Sequence, residues 1–120
     1  MMDAIQAYCL AKPGAEETYP FGPSPLVAKV GGKMFALLSA GAVSLKCDPA
    51  IAENLREQHA SVKPGYHLNK KYWNSVLVDG SLTVEDIEAM IDHSYELVVG
   101  SLTKAARVEL ERLGEKAGRA

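Results

Sequence analysis

Two short glycine-bearing breaks, Gly31-Gly32 and Ala40-Gly41, divide the middle of the chain into apolar runs at 26–30, 33–38 and 42–47. Runs of that length are too short for stable helices, and two-residue breaks between them leave little room for anything but an antiparallel meander. Gly31-Gly32 suits a tight hairpin, while Ala40-Gly41 marks a looser second one. Side chains alternate along a strand, so Val43, Leu45 and Cys47 point to one side and Ser44 and Lys46 to the other. One face of the sheet is therefore a core face and one is wet. A further extended segment is expected just ahead, at 17–21.

A one-sided sheet needs helices to cover it, and the flanking sequence supplies them. Residues 3–11 carry Ile5, Tyr8 and Cys9 at helical spacing, and Lys12-Pro13-Gly14 ends that helix. Asp48-Pro49 reads as an N-cap followed by proline in the first helical position, opening a helix with Ile51, Ala52 and Leu55 inward and a close at 59–61. Residues 72–78 form another strand, and Asp79-Gly80 turns the chain. Thr83 with Asp86 is a capping-box pattern that launches a helix with Val84, Ile87, Met90, Ile91, Ser94, Tyr95 and Val98 along its buried side. Gly100-Ser101 interrupts it. A last helix starts near Thr103 with Ala106, Leu110 and Leu113 on one face, and residues 113–120 are expected to fray. The order is helix, four strands, helix, strand, helix, helix, which predicts an α+β fold with an antiparallel sheet and helices packed on one face.

At 120 residues the chain fits a single domain, 1–120, and 48% apolar with 23% charged residues is a globular balance. No apolar run approaches the roughly 18 residues of a membrane span. The first residues carry an early acid, Asp3, and no basic leader, so the expectation is a cytoplasmic protein without a membrane partner. Cys9 and Cys47 fall in different elements and outside any Cys-x-x-Cys pair, which predicts buried, reduced thiols rather than a disulfide or zinc site.

The charges are unevenly distributed. From 18 to 47 the charged residues are Lys29, Lys33 and Lys46, and from 59 to 78 they are Lys63, Lys70 and Lys71, with no acid in either stretch. Between 79 and 96 the signs reverse to Asp79, Glu85, Asp86, Glu88, Asp92 and Glu96. The richest segment runs from Lys63 to Trp73, where Tyr66, His67, Asn69, Lys70, Lys71 and Tyr72 combine cations, flat rings and hydrogen-bonding groups. Such a set holds anions and stacks on rings. Within it Trp73 reads as a core anchor, Tyr66 and Tyr72 as the exposed rings, and Asn69 as the residue suited to a left-handed turn.

Catalytic signatures are missing: no serine elbow, no cysteine beside a histidine, no Gly-x-Gly-x-x-Gly and no P-loop. His59 and His67 lack metal-ligand spacing, and His93 in a helix reads as solvated. Glu88, Asp92 and Glu96 fall one helical turn apart and read as a solvated ridge, although oxygen-ligated cations are the other use of such a row. No catalytic residue, metal or cofactor is assigned.

Several ordered pieces carry a family resemblance: Tyr8-Cys9 with Lys12-Pro13-Gly14-Ala15, Lys33-Met34-Phe35-Ala36, Ser44-Leu45-Lys46-Cys47 leading to Pro49, His67-Leu68-Asn69-Lys70 with Trp73, Asp79-Gly80-Ser81-Leu82, and Ser94-Tyr95 before Val98. Together they resemble the MmcQ/YjbR family over nearly the whole chain to about Arg107. The resemblance implies a compact α+β fold similar to CyaY, the bacterial frataxin, and a DNA-binding role in which two hairpins act as wings. On this chain Gly31-Gly32 and Ala40-Gly41 are the candidate wing tips, though the second lacks flanking basic residues. Frataxin likeness also implies iron binding, for which only the acidic ridge speaks.

Residues and resemblance together favour a non-enzymatic nucleic-acid-binding domain, with DNA as the expected partner. Lys29, Lys33, Lys46, Lys63, Lys70 and Lys71 are the candidates for phosphate contact, and Tyr66, His67 and Asn69 for sugars or exposed bases. The alternative is an adaptor whose same patch receives an acidic protein or an anionic metabolite; an enzyme whose residues assemble only in the fold is a third. A deep pocket enclosing His67 and Trp73 favours a small ligand, and a broad lysine-lined surface favours nucleic acid.

Overall fold

The chain's alternation of short strands and amphipathic helices resolves, in a computed structural model that describes residues 1–118, into one six-stranded antiparallel sheet with helices on one side. Helix α1 (Met2–Leu10) precedes β1 (Glu16–Thr18), β2 (Leu26–Val30), β3 (Lys33–Ser39) and β4 (Ala42–Lys46). Then come α2 (Pro49–Gln58), β5 (Val62–Pro64), β6 (Trp73–Leu77), α3 (Val84–Gly100) and α4 (Lys104–Gly118). The strand order is β1-β2-β3-β4-β6-β5. Among the described residues, no helix is long and apolar enough to cross a membrane.

Both hairpins of the meander turn in two residues, with positive φ at Gly31 and Gly32 and again at Ala40 and Gly41. The second is therefore as tight as the first, because Ala40 accepts the left-handed conformation that a two-residue turn demands. Two other segments differ from the sequence reading. The first strand is only Glu16–Thr18, so Tyr19 and Phe21 leave the sheet instead of extending to 21. A strand at Val62–Pro64 joins the edge beside β6, where a terminal proline is tolerated.

Register divides the sheet into two faces. Leu26, Leu38, Val43, Val76 and Val62 are partners across five strands and all are buried. Against this side pack Ile5 and Cys9 of α1 and Ile87, Ile91 and Val98 of α3, the isoleucines and the valine each contributing roughly 1.5–3 kcal/mol. The capping box of α3 forms as read, with Thr83 Oγ1 accepting from the Asp86 N–H (3.1 Å) and Asp86 accepting from the Thr83 N–H (3.2 Å). Asp48 caps α2 and Pro49 opens it, but Ile51 is 44% exposed rather than inward; Ala52 is buried and Leu55 packs against the core, as read. Helix α4 keeps its helical backbone beyond Leu113 to Gly118, and Arg119 and Ala120 of the tail expected to fray lie outside the described residues.

A bulge interrupts β3. Ala28 pairs with Ala36 and Lys29 with Met34, so Phe35 has no partner on β2. Phe35 and Ala36 consequently both bury on the helical side. The ladder broken there is repaired from above: Ser94 of α3, fully buried, donates to the Phe35 carbonyl (2.6 Å) and accepts from the Lys46 N–H (2.9 Å).

Candidate nucleic-acid interface

The face opposite the helices is built from one transverse row of register partners: Thr18, Val27, Leu37, Ser44, Ser75 and Lys63. These positions alternate with the buried row, so they look away from the helical layer. Above them lies the loop 65–72, which connects β5 to β6 at the same end of the sheet as the Gly31-Gly32 turn. The Ala40-Gly41 turn is at the other end, as consecutive hairpins require. The two turns expected to act as paired wings therefore point in opposite directions; the turn that shares an end with Gly31-Gly32 is the 65–72 loop.

That loop is held by its neighbours. Gly65 sits so close to Trp73 that a Cβ there would lie 2.7 Å from the Trp73 Cβ, leaving space only for glycine. Trp73 is 9% exposed and packs under the loop, so its anchoring role is as read from sequence. Arg56 of α2 donates to Asn74 Oδ1 (2.7 Å), to the Trp73 carbonyl (3.3 Å) and to the Lys70 carbonyl. Sequence reasoning passed over Arg56 because it sits on a helix, far along the chain from the loop it ties down. Ser75 Oγ accepts from the Tyr66 N–H (3.0 Å).

Side chains in the loop divide between display and support. Tyr66 is 74% exposed, and its ring lies 4.0 Å, centroid to centroid, from the imidazole of His67 at a tilt of 55°. His67, not Asn69, adopts the left-handed backbone, with φ of 58°. Asn69 turns the chain by another route: its side-chain oxygen accepts from the Lys71 N–H (2.9 Å). Lys71 lies over the Tyr72 ring at 5.5 Å, and Lys70 donates to the Gly65 carbonyl (3.0 Å).

The lysines expected in one footprint are only partly gathered. Lys46 and Lys63 occupy the open face, and Lys70 and Lys71 stand on the loop at its end. Lys29 shares that face two strands from Lys46, with Glu16 as its cross-strand partner. Lys33 instead lies on the helical side, where its ammonium donates to the Ser101 carbonyl (3.2 Å) and hydroxyl (3.3 Å).

Between the loop and the segment before β2, the open face forms a cavity of about 640 Å³, floored by Leu37, Ser44 and Ser75 and walled by Phe21, Tyr66 and His67. Lys63 also lines it, and among the described residues no acidic side chain does. His67 thus borders a pocket, while Trp73 does not. A smaller crevice of about 290 Å³ lies on the helical side, where α2 and α3 part over Leu45 and Val76.

The acidic side chains behave differently from a solvated row. Asp92 turns toward α1, accepting from Tyr8 Oη (2.6 Å) and pairing with the Lys12 ammonium. Partial burial pushes its carboxyl up, but the hydrogen bonds from Lys12 and Tyr8 and the Lys12 charge outweigh that and hold it below the usual range. Glu88, Asp92 and Glu96 are therefore not equivalent members of a ridge. His93 is likewise engaged, its Nε2 accepting from the Asp48 N–H (3.2 Å) at the start of α2. Both cysteines are buried thiols, and burial raises Cys9 to about 12.

Comparison with known proteins agrees with this architecture. The family model described as YjbR matches residues 10–97. The Escherichia coli (strain K12) protein YjbR is 41% identical over 110 residues, spanning 88% of this chain and 93% of the relative. Escherichia coli O157:H7 YbdF is 38% identical over 106 residues, covering 85% of this chain and 87% of its own length. The crystal structure of Deinococcus radiodurans protein DR2400, with a DUF419 domain, superposes with a TM-score of 0.85 at 40% identity, over 92% of this chain and 88% of that one.

Proposed function

This chain belongs to the YjbR family, and we propose that it is a non-enzymatic nucleic-acid-binding domain, with DNA as its expected partner. The observation that carries this reading is the arrangement of Lys46 and Lys63 on the sheet face away from the helices, beside a loop bearing Lys70, Lys71 and Tyr66. Phosphate contacts come from ammonium groups, which act as point charges needing no fixed geometry, so scattered lysines on one surface suffice. Lys29 extends the surface toward β2, whereas Lys33, engaged at Ser101 on the helical side, is not part of it.

Fluorescence anisotropy with labelled DNA and RNA at several salt concentrations tests the reading. Engagement of three or four phosphates gives a log–log slope of about −3 to −4 on duplex DNA and about −2 to −3 on a single strand. Replacing Lys70 and Lys71 together by alanine is expected to weaken binding to a similar degree across sequences. Unchanged affinity in that variant removes both lysines from the site.

A second reading is favoured by the cavity on the same face, whose volume of about 640 Å³ falls within the roughly 300–1,000 Å³ typical of small-ligand sites. In it, Lys63 binds the charge of an anionic metabolite. Calorimetric binding of an anionic metabolite that lacks a nucleobase, without measurable binding of DNA, separates it from the first.

A further inference from the structure

The cavity floor holds a hydroxyl pair whose protons can be counted. Ser44 and Ser75 face each other across β4 and β6 with their oxygens 2.7 Å apart. Ser75 Oγ also accepts from the Tyr66 N–H. One of the two hydroxyl protons fills the bond between them. The other has no acceptor among the described residues, whichever serine is the donor. Ser75 is only 8% exposed, Ser44 is half-buried and both line the cavity, so the surplus donor, on whichever oxygen, takes its acceptor from what occupies the cavity.

The surroundings narrow what that acceptor belongs to. Phe21, 63% exposed, and Tyr66 with His67 offer ring surfaces at the walls of the cavity. Lys63 supplies the lining's positive charge, and Lys70 and Lys71 stand on the adjoining loop. A ligand that matches this set has a flat ring, an acceptor on the ring's edge and a negative charge nearby. A base stacked inside a duplex shows only its edge, whereas an unstacked base also offers a face to aromatic side chains.

We propose that this cavity receives an unstacked base of a single nucleic-acid strand. Its ring lies against the aromatic walls, its ring acceptor accepts a hydrogen bond from the free Ser44/Ser75 hydroxyl, and Lys63 holds the adjacent phosphate. The inference rests on the nucleic-acid reading above and adds strand preference to it.

The test is anisotropy with a labelled mixed-sequence DNA oligonucleotide, presented single-stranded and as the matching blunt duplex, using wild type and the F21A/Y66A variant. Both replaced rings are exposed, and circular dichroism checks that the variant keeps its fold. The expected result is tighter binding of the single strand and at least a tenfold loss of it in the variant, with a clearly smaller loss for the duplex. Equal or tighter duplex binding, or single-strand binding indifferent to both rings, overturns the cavity's role and leaves lysine–phosphate binding standing. Failure to bind either form removes the underlying reading, and this inference with it.

Discussion

The hydroxyl of Ser94 shows how much one side chain decides in this protein. It sits in an apolar helix face, fully buried, where an alanine would pack as well. Its task is to satisfy the Phe35 carbonyl and the Lys46 N–H that the β3 bulge leaves without ladder partners. By closing that gap it fixes the end of β4, where Lys46 emerges on the open face. Ser94→Ala is expected to destabilise the fold by about 1–3 kcal/mol, read as a lower urea midpoint with an unchanged slope, because a buried donor and acceptor lose their partner. A midpoint equal to wild type would mean that the backbone re-pairs on its own.

At the level of elements, the loop 65–72 depends on a helix it does not follow in sequence. Arg56 of α2 binds the Lys70 carbonyl within it, the Trp73 carbonyl just after it and the side chain of Asn74, and hydrogen bonds to a charged donor contribute about 1.5–3 kcal/mol each. Arg56→Met keeps much of the aliphatic stem but removes these donors. Amide hydrogen exchange is expected to quicken at Gly65 and Tyr72, whose N–H groups close the loop on the Trp73 and Asn69 carbonyls, while α1 and α3 stay protected. Uniform quickening across the molecule would instead mark Arg56 as a global strut. Locally encoded features were readable in the sequence: the Gly31-Gly32 hairpin, the Asp48-Pro49 helix start and the Thr83/Asp86 box each depend on neighbours within a few residues. Features set by distant partners were not. Asp92 meets Tyr8 and Lys12, over 80 positions away in the chain for the first and 80 for the second, so helical spacing alone left it in solvent. The strand at Val62–Pro64 is three residues long and ends in proline, and its pairing with β6 is all that defines it.

For the whole molecule, the decisive asymmetry is that α1 and α3 cover one side of the sheet while the other carries Ser44, Ser75, Lys46 and Lys63 beneath an aromatic, basic loop. The sequence disclosed the basic aromatic segment as a string of residues. It did not disclose that Lys33 would turn to the helical side, because a bulge at Phe35 resets the alternation between Ala36 and Lys33, nor that Phe21, from the segment between β1 and β2, would reach the same cavity as Tyr66. The measurement that bears most directly on this asymmetry is a two-dimensional ¹⁵N NMR titration of the protein with a short DNA oligonucleotide. Perturbed amides are expected at Ser44, Lys46, Lys63, Ser75 and residues 66–71, forming one patch on the open face. Shifts confined to α3 and α4, with those amides unmoved, contradict it.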